Sequence, residues 1–304
     1  MDELMEKSQT LKQADPSLTR RNMIEDTQEK EECCLSPVEL HGAVFCISGD
    51  EMHSLLINAY GEILKKSSLK VPDKNFEREI ISILDELTPQ EEIKAIGIGV
   101  PGIVEGGAYW KKRLTDDKLC RVDIGERISK RYNIPVVLEN NLNATTFGFG
   151  KCYQSQFPAE VPEEINMAYL HFSKGCVSAG FIAGGQIIRG NHNFAGELGL
   201  IPMEDGRTLD DWMADDMDDA QYTKLMAKMI FWVCGILNPQ YVALAGKDLR
   251  TECIGPISDT VYSFLVRSVM PEILYSADVW GDYHNGMSIL TAEKILEAAR
   301  SSRE

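Results

Sequence analysis

Four polar side chains follow one short apolar run and could do chemistry. The run Val136–Leu138 predicts a buried strand, and it leads into Glu139, Asn140, Asn141 and Asn143. Ligands of open α/β sheets bind just outside the carboxyl ends of the strands, so recognition or catalysis is expected here. The alternative is a plain strand-to-helix turn in which Asn140 caps the helix, because Asn is a preferred N-cap residue.

Composition and charge exclude several classes of protein. The 304 residues are enough for two domains, and 44% hydrophobic and 8% aromatic residues are typical of a soluble globular chain. No apolar run reaches about 18 residues, and the acidic start lacks the features of a signal peptide, so we expect a cytoplasmic location and no membrane partner. The net charge of −16 repels a phosphate backbone, so we expect no direct nucleic-acid binding by this chain alone.

Hydrophobic patterning divides the chain into an arm and two lobes. Residues 1–40 carry ten acidic and five basic side chains, which predicts an acidic N-terminal arm. We expect an N-terminal α/β lobe from 41–134 plus 288–304 and a C-terminal α/β lobe from 135–287. The predicted strands are 43–47, 52–58, 63 onward, 95–100, 136–138, 167–172, a hairpin across Gly184 and Gly185, 241–245 and 272–276; the predicted helices are 76–87, 123–132, 208–237, 256–267 and 287–300.

Four segments in register resemble one known family. They are Gly97–Val104, Pro135–Ala144, Phe194–Gly199, and Gly235–Pro239 with Ala245 and Gly246. They are similar to the G-I-G-x-P-G-x-V, P-V-x-x-E-N-D-x-N-A, x-A-G-E-x-G-H and L-N-P…G-G segments of the ROK family of repressors, open reading frames and kinases. The resemblance covers roughly residues 42–300. It implies an α/β fold of two ribonuclease-H-like lobes, the actin-like ATPase and sugar-kinase fold, with an interlobe cleft.

The general base of the family is missing from this chain. In family kinases the Asp of E-N-D takes the proton of the sugar hydroxyl and orients the sugar, and the matching residue here is Asn141. A neutral amide cannot accept that proton, and a general base is worth roughly 10²- to 10⁴-fold in rate. We therefore expect no catalytic residue at this position.

Both family loops that handle nucleotide phosphates are altered. The D-x-G-G-T loop corresponds to Cys46–Asp50, where Cys46 has replaced an acid and Asp50 a hydroxyl. A carboxylate facing phosphate is repulsive by roughly 1 kcal/mol in water-like surroundings, and the alternative is a plain hairpin turn. The G-T-G-x-G-x-G loop corresponds to Ser173–Gly180, in which Val177 hinders the approach of phosphate. The candidate nucleotide-binding residues are Gly49, Gly175, Gly180 and Gly246.

The zinc site of the family is also missing. Leu200 occupies the position of its histidine, and no cysteine lies between Cys176 and Cys234. Residues 204–219 instead carry eight carboxylates, which could attract a divalent cation but are better explained as a solvated helix start. We therefore expect no zinc and no required cofactor, and ATP with Mg²⁺ belongs only to the kinase alternative below.

Glu197 is retained, and the resemblance implies that its counterpart contacts the sugar. With Gly102, Asn140 and Asn141 it makes a candidate polyol site, because sugars need directional donors and acceptors more than charge. The alternative is that Glu197 caps backbone N–H groups. His192, in the same loop, is either a further contact or a surface residue.

Three functions follow from these residues. We expect a catalytically degraded ROK-type protein that binds a sugar or related small molecule as a regulator and forms a homodimer. One alternative is an active ATP-dependent sugar kinase with Glu197 or Asp50 as its base. The other is an interaction or scaffold protein without a small ligand.

Overall fold

The computed structural model describes residues 39–112, 119–173, 175–264, 266 and 269–301, so the predicted arm at 1–40 lies outside it apart from its last two residues. Contacts divide the described chain into two compact units. The first contains the described parts of 39–155 together with 191–193 and 280–301. The second contains the described parts of 156–190 and 194–279.

Strands and helices alternate along both units. In chain order they are β1 (His41–Ser48), β2 (Glu51–Asn58), β3 (Ile63–Lys70), α1 (Phe76–Leu87), β4 (Ile93–Val100), β5 (Ile103–Glu105), β6 (Ala108–Lys112), β7 (Leu119–Val122), α2 (Ile124–Tyr132), β8 (Val136–Asn140), α3 (Asn141–Gln156), β9 (Met167–Ser173), β10 (Cys176–Ala183), β11 (Gln186–Ile187), α4 (Leu209–Ala214), α5 (Asp219–Leu237), β12 (Tyr241–Ala245), α6 (Ile254–Phe264), β13 (Glu272–Tyr275) and α7 (Val279–Ser301).

The same strand order occurs in both units. In the first, β2 is antiparallel to β1 and β3, and β1, β4 and β8 are parallel, which gives the order β3-β2-β1-β4-β8. In the second, β10 is antiparallel to β9 and β11, and β9, β12 and β13 are parallel, which gives β11-β10-β9-β12-β13. The repetition of one α/β pattern that the sequence predicts is therefore confirmed.

The central strand β1 is buried on both faces, which explains its unbroken apolar run. On one face Phe45 belongs to a core that includes Ile80 of α1 and Ile128 of α2. On the other face Val44 belongs to a core that includes Met287 of α7. Burial of such side chains at roughly 25 cal/mol per Å² of apolar surface is what holds the helices against the sheet.

Two glycines of β4 allow α7 to lie close to the sheet. A Cβ at Gly97 would overlap the hydroxyl of Thr291, and a Cβ at Gly99 would overlap the hydroxyl of Tyr283. The Tyr283 hydroxyl also accepts a hydrogen bond from the Ile47 N–H at 3.2 Å. The G-I-G spacing that carries part of the resemblance is therefore required here by helix packing.

The sequence predicts one helix over 208–237, and the structure has two. Thr208 caps α4 through a capping box with Asp211, and Asp218 caps α5 through a second box with Gln221. The backbone is extended at Asp215, so α4 ends there and a separate helix begins at the second capping box. The capping box predicted at Thr208 is confirmed, but it begins a helix of only six residues.

Further differences concern boundaries and short strands. β8 pairs with β4 along its whole length, so the contact division keeps 135–155 with the first unit, whereas the sequence predicts a boundary at residue 134. The last helix begins at Val279 and not at residue 287. A small antiparallel sheet, β5-β6-β7, was not predicted, because strands of three to five residues show little periodicity.

Among the described helices, none combines the length and apolarity that crossing a membrane requires.

Candidate functional site

Asn140 ends β8 and ties the first turn of α3 to the loop after β4. Its side-chain oxygen accepts hydrogen bonds from the N–H groups of Leu142 at 2.8 Å and Asn143 at 3.0 Å. Its side-chain nitrogen donates to the carbonyl oxygen of Gly102 at 2.9 Å. The predicted cap is therefore present, and one N–H of the Asn140 amide is left for a ligand.

Gly102 is held in a conformation that only glycine adopts easily. Its φ angle is 104°, and a Cβ at this position would overlap the carbonyl oxygen of Trp110 in β6. Because the Asn140 amide bonds the Gly102 carbonyl, the loop after β4 and the start of α3 form one rigid edge.

Asn141 presents an amide without a partner at this edge. It is the first residue of α3, it is half-buried, and its backbone carbonyl accepts a hydrogen bond from the Thr145 hydroxyl at 2.7 Å. Within the described residues its side chain makes no hydrogen bond. The amide can therefore donate to and accept from a bound hydroxyl group.

Glu139 is buried and stabilises this edge through hydrogen bonds. The side chain is 4% exposed, and Oε1 accepts hydrogen bonds from the Asn140 N–H at 2.9 Å and from the Asn143 amide at 3.1 Å. Its carboxylate is thus engaged in holding the first turn of α3. The two asparagines are half-buried, so they and not the buried glutamate remain accessible at this edge.

The stretch matched to the first phosphate loop is a two-residue hairpin turn. Ser48 pairs with Glu51, and Gly49 turns the chain with a φ angle of 64°. Cys46 is fully buried beside α7, and this burial raises the pKa of its thiol. Asp50 is exposed, and its carbonyl accepts a hydrogen bond from the Val71 N–H at 2.7 Å. The hairpin turn is therefore present, and nucleotide binding at Gly49 stays a prediction.

The stretch matched to the second phosphate loop contacts a carboxylate of its own unit. Gly175 lies between β9 and β10 with a φ angle of 66°, and Gly180 is buried within β10. The Val177 N–H donates to Oδ1 of Asp210 at 2.7 Å. Asp210 reaches this N–H because Gly199 has no side chain, and a Cβ there would overlap the carboxylate. This contact was not foreseen, because nothing in the sequence links positions 33 residues apart.

Backbone packing explains why the residue after β12 is a glycine, Gly246. Its φ angle is 116°, and a Cβ would overlap the backbone oxygen of Phe172 in β9. A side chain is therefore excluded at this position whether or not a nucleotide binds.

Glu197 carries a half-buried carboxyl in the second unit. No side-chain capping bond is made at the short 3-10 helix that follows it, so the alternative role as a cap is wrong. Burial raises the pKa of the Glu197 carboxyl, and the nearby Asp210 carboxylate adds to this rise. Within the described residues the Glu197 side chain makes no hydrogen bond, which leaves it available to a ligand.

Residues 191–193 belong to the first unit. His192 is exposed, with a φ angle of 55°, and its Nδ1 lies 2.8 Å from a carboxylate oxygen of Glu105. Asn193, which sequence reasoning missed, donates from its amide to the carbonyl oxygen of Val104. Both contacts fix this segment on β5, so His192 is a surface residue with a defined partner.

The acidic stretch 204–219 is largely engaged in local contacts. Arg207 makes ion pairs with Asp205 and Asp215, each at 2.8 Å. The Arg207 contact contributes most to lowering the pKa of Asp205 to about 2. In the part of the chain that the structure describes, no group of three His, Cys, Asp or Glu side chains is placed to hold a metal ion.

The sequence-predicted residues fall into two groups. Gly102, Asn140 and Asn141 lie together in the first unit, which also contains Gly49. Glu197 lies in the second unit, as do Gly175, Gly180 and Gly246. Each group has a defined local geometry.

Comparison with known proteins identifies the family of this chain. The sequence profile of the ROK family matches residues 46–217, more than half of the chain. The chain belongs to the ROK family. The resemblance predicted from its sequence is therefore confirmed, and Asn141, Gly102 and Glu197 all lie within the matched range.

Individual relatives are less similar, and the chain spans less than half the length of the curated repressor that it matches. The xylose repressor of Caldicellulosiruptor bescii is 26% identical over 159 residues, which are 49% of this chain and only 38% of that repressor. The ROK hexokinase of Thermus thermophilus has a TM-score of 0.62 at 15% identity, covering 84% of this chain and 99% of that one. A ROK family transcriptional regulator, a homologue of the E. coli MLC protein, has a TM-score of 0.64 at 15% identity, covering 87% of this chain and 82% of that one. These structures share the α/β sugar-kinase fold with this chain.

Proposed function

We propose that this protein is a ROK-type regulator that binds a sugar or related small molecule and does not phosphorylate it. The observation that carries the proposal is the half-buried amide of Asn141, which has no hydrogen-bond partner among the described residues. It stands where the resemblance places the general base of the kinases. A carboxamide can hold a hydroxyl group at this position but cannot remove its proton.

The surroundings of Asn141 support recognition. Asn140 has one N–H left after bonding Gly102, and that bond fixes both groups in place. In the second unit, the Glu197 carboxyl supplies a further acceptor without an internal partner. A fixed set of neutral amide donors and acceptors, as at Asn140 and Asn141, is the kind of lining that polyol binding needs.

The residues matched to the phosphate loops support the absence of phosphoryl transfer. Cys46 is buried in the core, and the Val177 N–H is already bonded to Asp210. Phosphoryl transfer depends on positioning and on stabilising the charge of the phosphate. Neither of these two positions offers a free donor for that purpose.

The name of the C. bescii relative suggests where to begin with ligands. We propose an aldopentose such as D-xylose as the first candidate, followed by aldohexoses. The test is a thermal-shift titration of the chain with a sugar panel, together with an assay of ADP release from Mg-ATP. We expect stabilisation by at least one sugar and no sugar-dependent ADP release. Robust release would contradict the proposal.

The second candidate is a sugar kinase with Glu197 as its base. The raised pKa and the unpaired carboxyl of Glu197 favour it, because a general base needs a pKa near the working pH. Glu197→Ala separates the candidates. If ADP release occurs and this variant abolishes it, the kinase is the correct function.

We also propose that the chain forms a homodimer and does not bind DNA by itself. Sedimentation equilibrium tests the first statement, and a gel shift at physiological salt tests the second. A monomer, or a shifted DNA band with this chain alone, would contradict them respectively.

A further inference from the structure

Four side chains of the first unit form a continuous relay of hydrogen bonds outside the residues discussed so far. Glu51 Oε1 lies 3.0 Å from His53 Nε2, and His53 Nδ1 lies 2.7 Å from His284 Nε2. His284 Nδ1 lies 3.3 Å from Nζ of Lys66. His53 and His284 are 7% and 3% exposed, whereas Lys66 is exposed at the end of the relay. The relay joins β2, the edge strand β3 and the start of α7.

The two ends of the relay fix the protons of both histidines. The ammonium of Lys66 can only donate, so His284 Nδ1 must accept. Burial, the Lys66 ammonium and His53 lower the pKa of His284 to about 3, so its imidazole stays neutral in ordinary buffers. The single proton of His284 therefore lies on Nε2 and is donated to His53 Nδ1. His53 in turn donates from Nε2 to Glu51, and every bond runs from Lys66 towards Glu51.

A proton added to His53 reverses this order. Protonated His53 donates from both ring nitrogens, so His284 Nε2 must become the acceptor. The proton of neutral His284 then lies on Nδ1, where it faces the ammonium of Lys66, and two donors cannot bond each other. The contact between Lys66 and α7 is lost.

The surroundings of His53 can stabilise its cation. The Glu51 carboxylate is one hydrogen bond away, and the Trp280 ring stacks on the imidazole with centroids 3.8 Å apart and planes 21° apart. The Lys66 ammonium opposes the added charge. Cys46 and Ser68 lie opposite His53 on the neighbouring strands, and Lys70 lies opposite Glu51. Tyr283 faces the relay from α7, where its ring stacks with Trp280. Burial raises the pKa of both Cys46 and Tyr283, so these two groups are neutral.

We propose that the relay is a proton-operated clasp: uptake of one proton by His53 turns the His53–His284 bond around and releases Lys66 of β3 from α7. The device concerns the attachment of an edge strand to a helix and is independent of the proposed sugar binding. It makes the attachment of β3 dependent on pH.

Two readouts on the full chain test the clasp. The emission of Trp280 reports a proton on the stacked His53, because protonated imidazole quenches indole, and Trp280→Phe supplies the background from the other three tryptophans. Acetylation of Lys66 relative to Lys65, measured by mass spectrometry, reports release. Lys65 is the matched reference because it lies on the same strand with 72% of its side chain exposed.

As the pH falls from about 8 to about 5, we expect the emission of Trp280 to fall and the Lys66/Lys65 ratio to rise about fivefold, the factor that one hydrogen bond is worth. Both changes should share one midpoint, and His53→Gln should abolish both. A constant ratio, a constant Trp280 emission, or a pH-dependent ratio that persists in His53→Gln would overturn the clasp. If His53→Gln does not fold, the two wild-type curves alone test the clasp. A shared midpoint supports it, and separate midpoints overturn it.

Discussion

The side chain of Asn140 donates a hydrogen bond to the carbonyl oxygen of Gly102 at 2.9 Å, across 38 positions of sequence. The same amide caps α3 through its oxygen. One residue therefore fixes both edges of the candidate site, while Asn141 beside it is free to meet a ligand. We expect Asn140 to act mainly on stability and Asn141 mainly on ligand binding, and substitutions should separate the two effects.

Asn140→Ala should lower the free energy of unfolding by about 2 kcal/mol, because it removes a helix cap and one further hydrogen bond. Asn140→Ser keeps an acceptor for the cap and loses the bond to Gly102, so it should cost about half as much. Urea unfolding measures both values. A loss below about 0.5 kcal/mol for Asn140→Ala would show that the cap contributes little.

Gly99→Ala should destabilise the first unit by about 1 to 3 kcal/mol, because the added Cβ overlaps the Tyr283 hydroxyl. Gly49→Ala is the comparison: its Cβ meets nothing within 4 Å, so its cost of about 1 kcal/mol comes only from the positive φ angle. Tyr283→Phe removes the overlapping oxygen and should partly suppress Gly99→Ala. Strict additivity of Gly99→Ala and Tyr283→Phe in thermal unfolding would contradict the packing explanation.

Glu197→Gln should change stability with pH. The pKa of the Glu197 carboxyl is higher in the folded chain than its ordinary value of 4.5, so the folded state holds its proton more tightly than the unfolded state. That contribution is complete below pH 4.5 and is lost as the pH rises through the folded pKa. The variant should therefore match the wild type in acid and exceed it at higher pH. Melting temperatures across this pH range check the expectation, with Glu163→Gln at an exposed position as the control for removing one carboxylate.

Restoring the carboxylate at Asn141 should not restore a kinase. Asn141→Asp supplies the missing base, but the Cys46 side chain stays buried and the Val177 N–H stays bonded to Asp210. We expect sugar-dependent ADP release by this variant to stay at background. Robust phosphorylation by the single variant would show that the phosphate-binding elements are intact.

The sequence predicts most strands of the two units, because buried parallel strands such as β1 and β4 are unbroken apolar runs. It does not predict the break between α4 and α5, since apolar residues keep a helical spacing across two adjacent capping boxes. Sequence motifs predict which residues form the candidate site, but they do not predict the role of each residue. The motif cannot reveal that Asn140 bonds Gly102 or that Gly99 makes room for Tyr283 of α7, because each partner is distant in sequence.

Calorimetric titration with the sugar that stabilises the chain most is the most direct test of the proposed function. It compares the wild type with Asn141→Ala and with Gln90→Ala, an amide-to-alanine control at an exposed position on the C-terminal side of α1. We predict saturable binding by the wild type, the same affinity for Gln90→Ala, and at least roughly tenfold weaker binding by Asn141→Ala, the loss expected when a polar ligand group is left unpaired. Equal affinity in all three proteins would contradict the assignment of Asn141 as the ligand-binding residue.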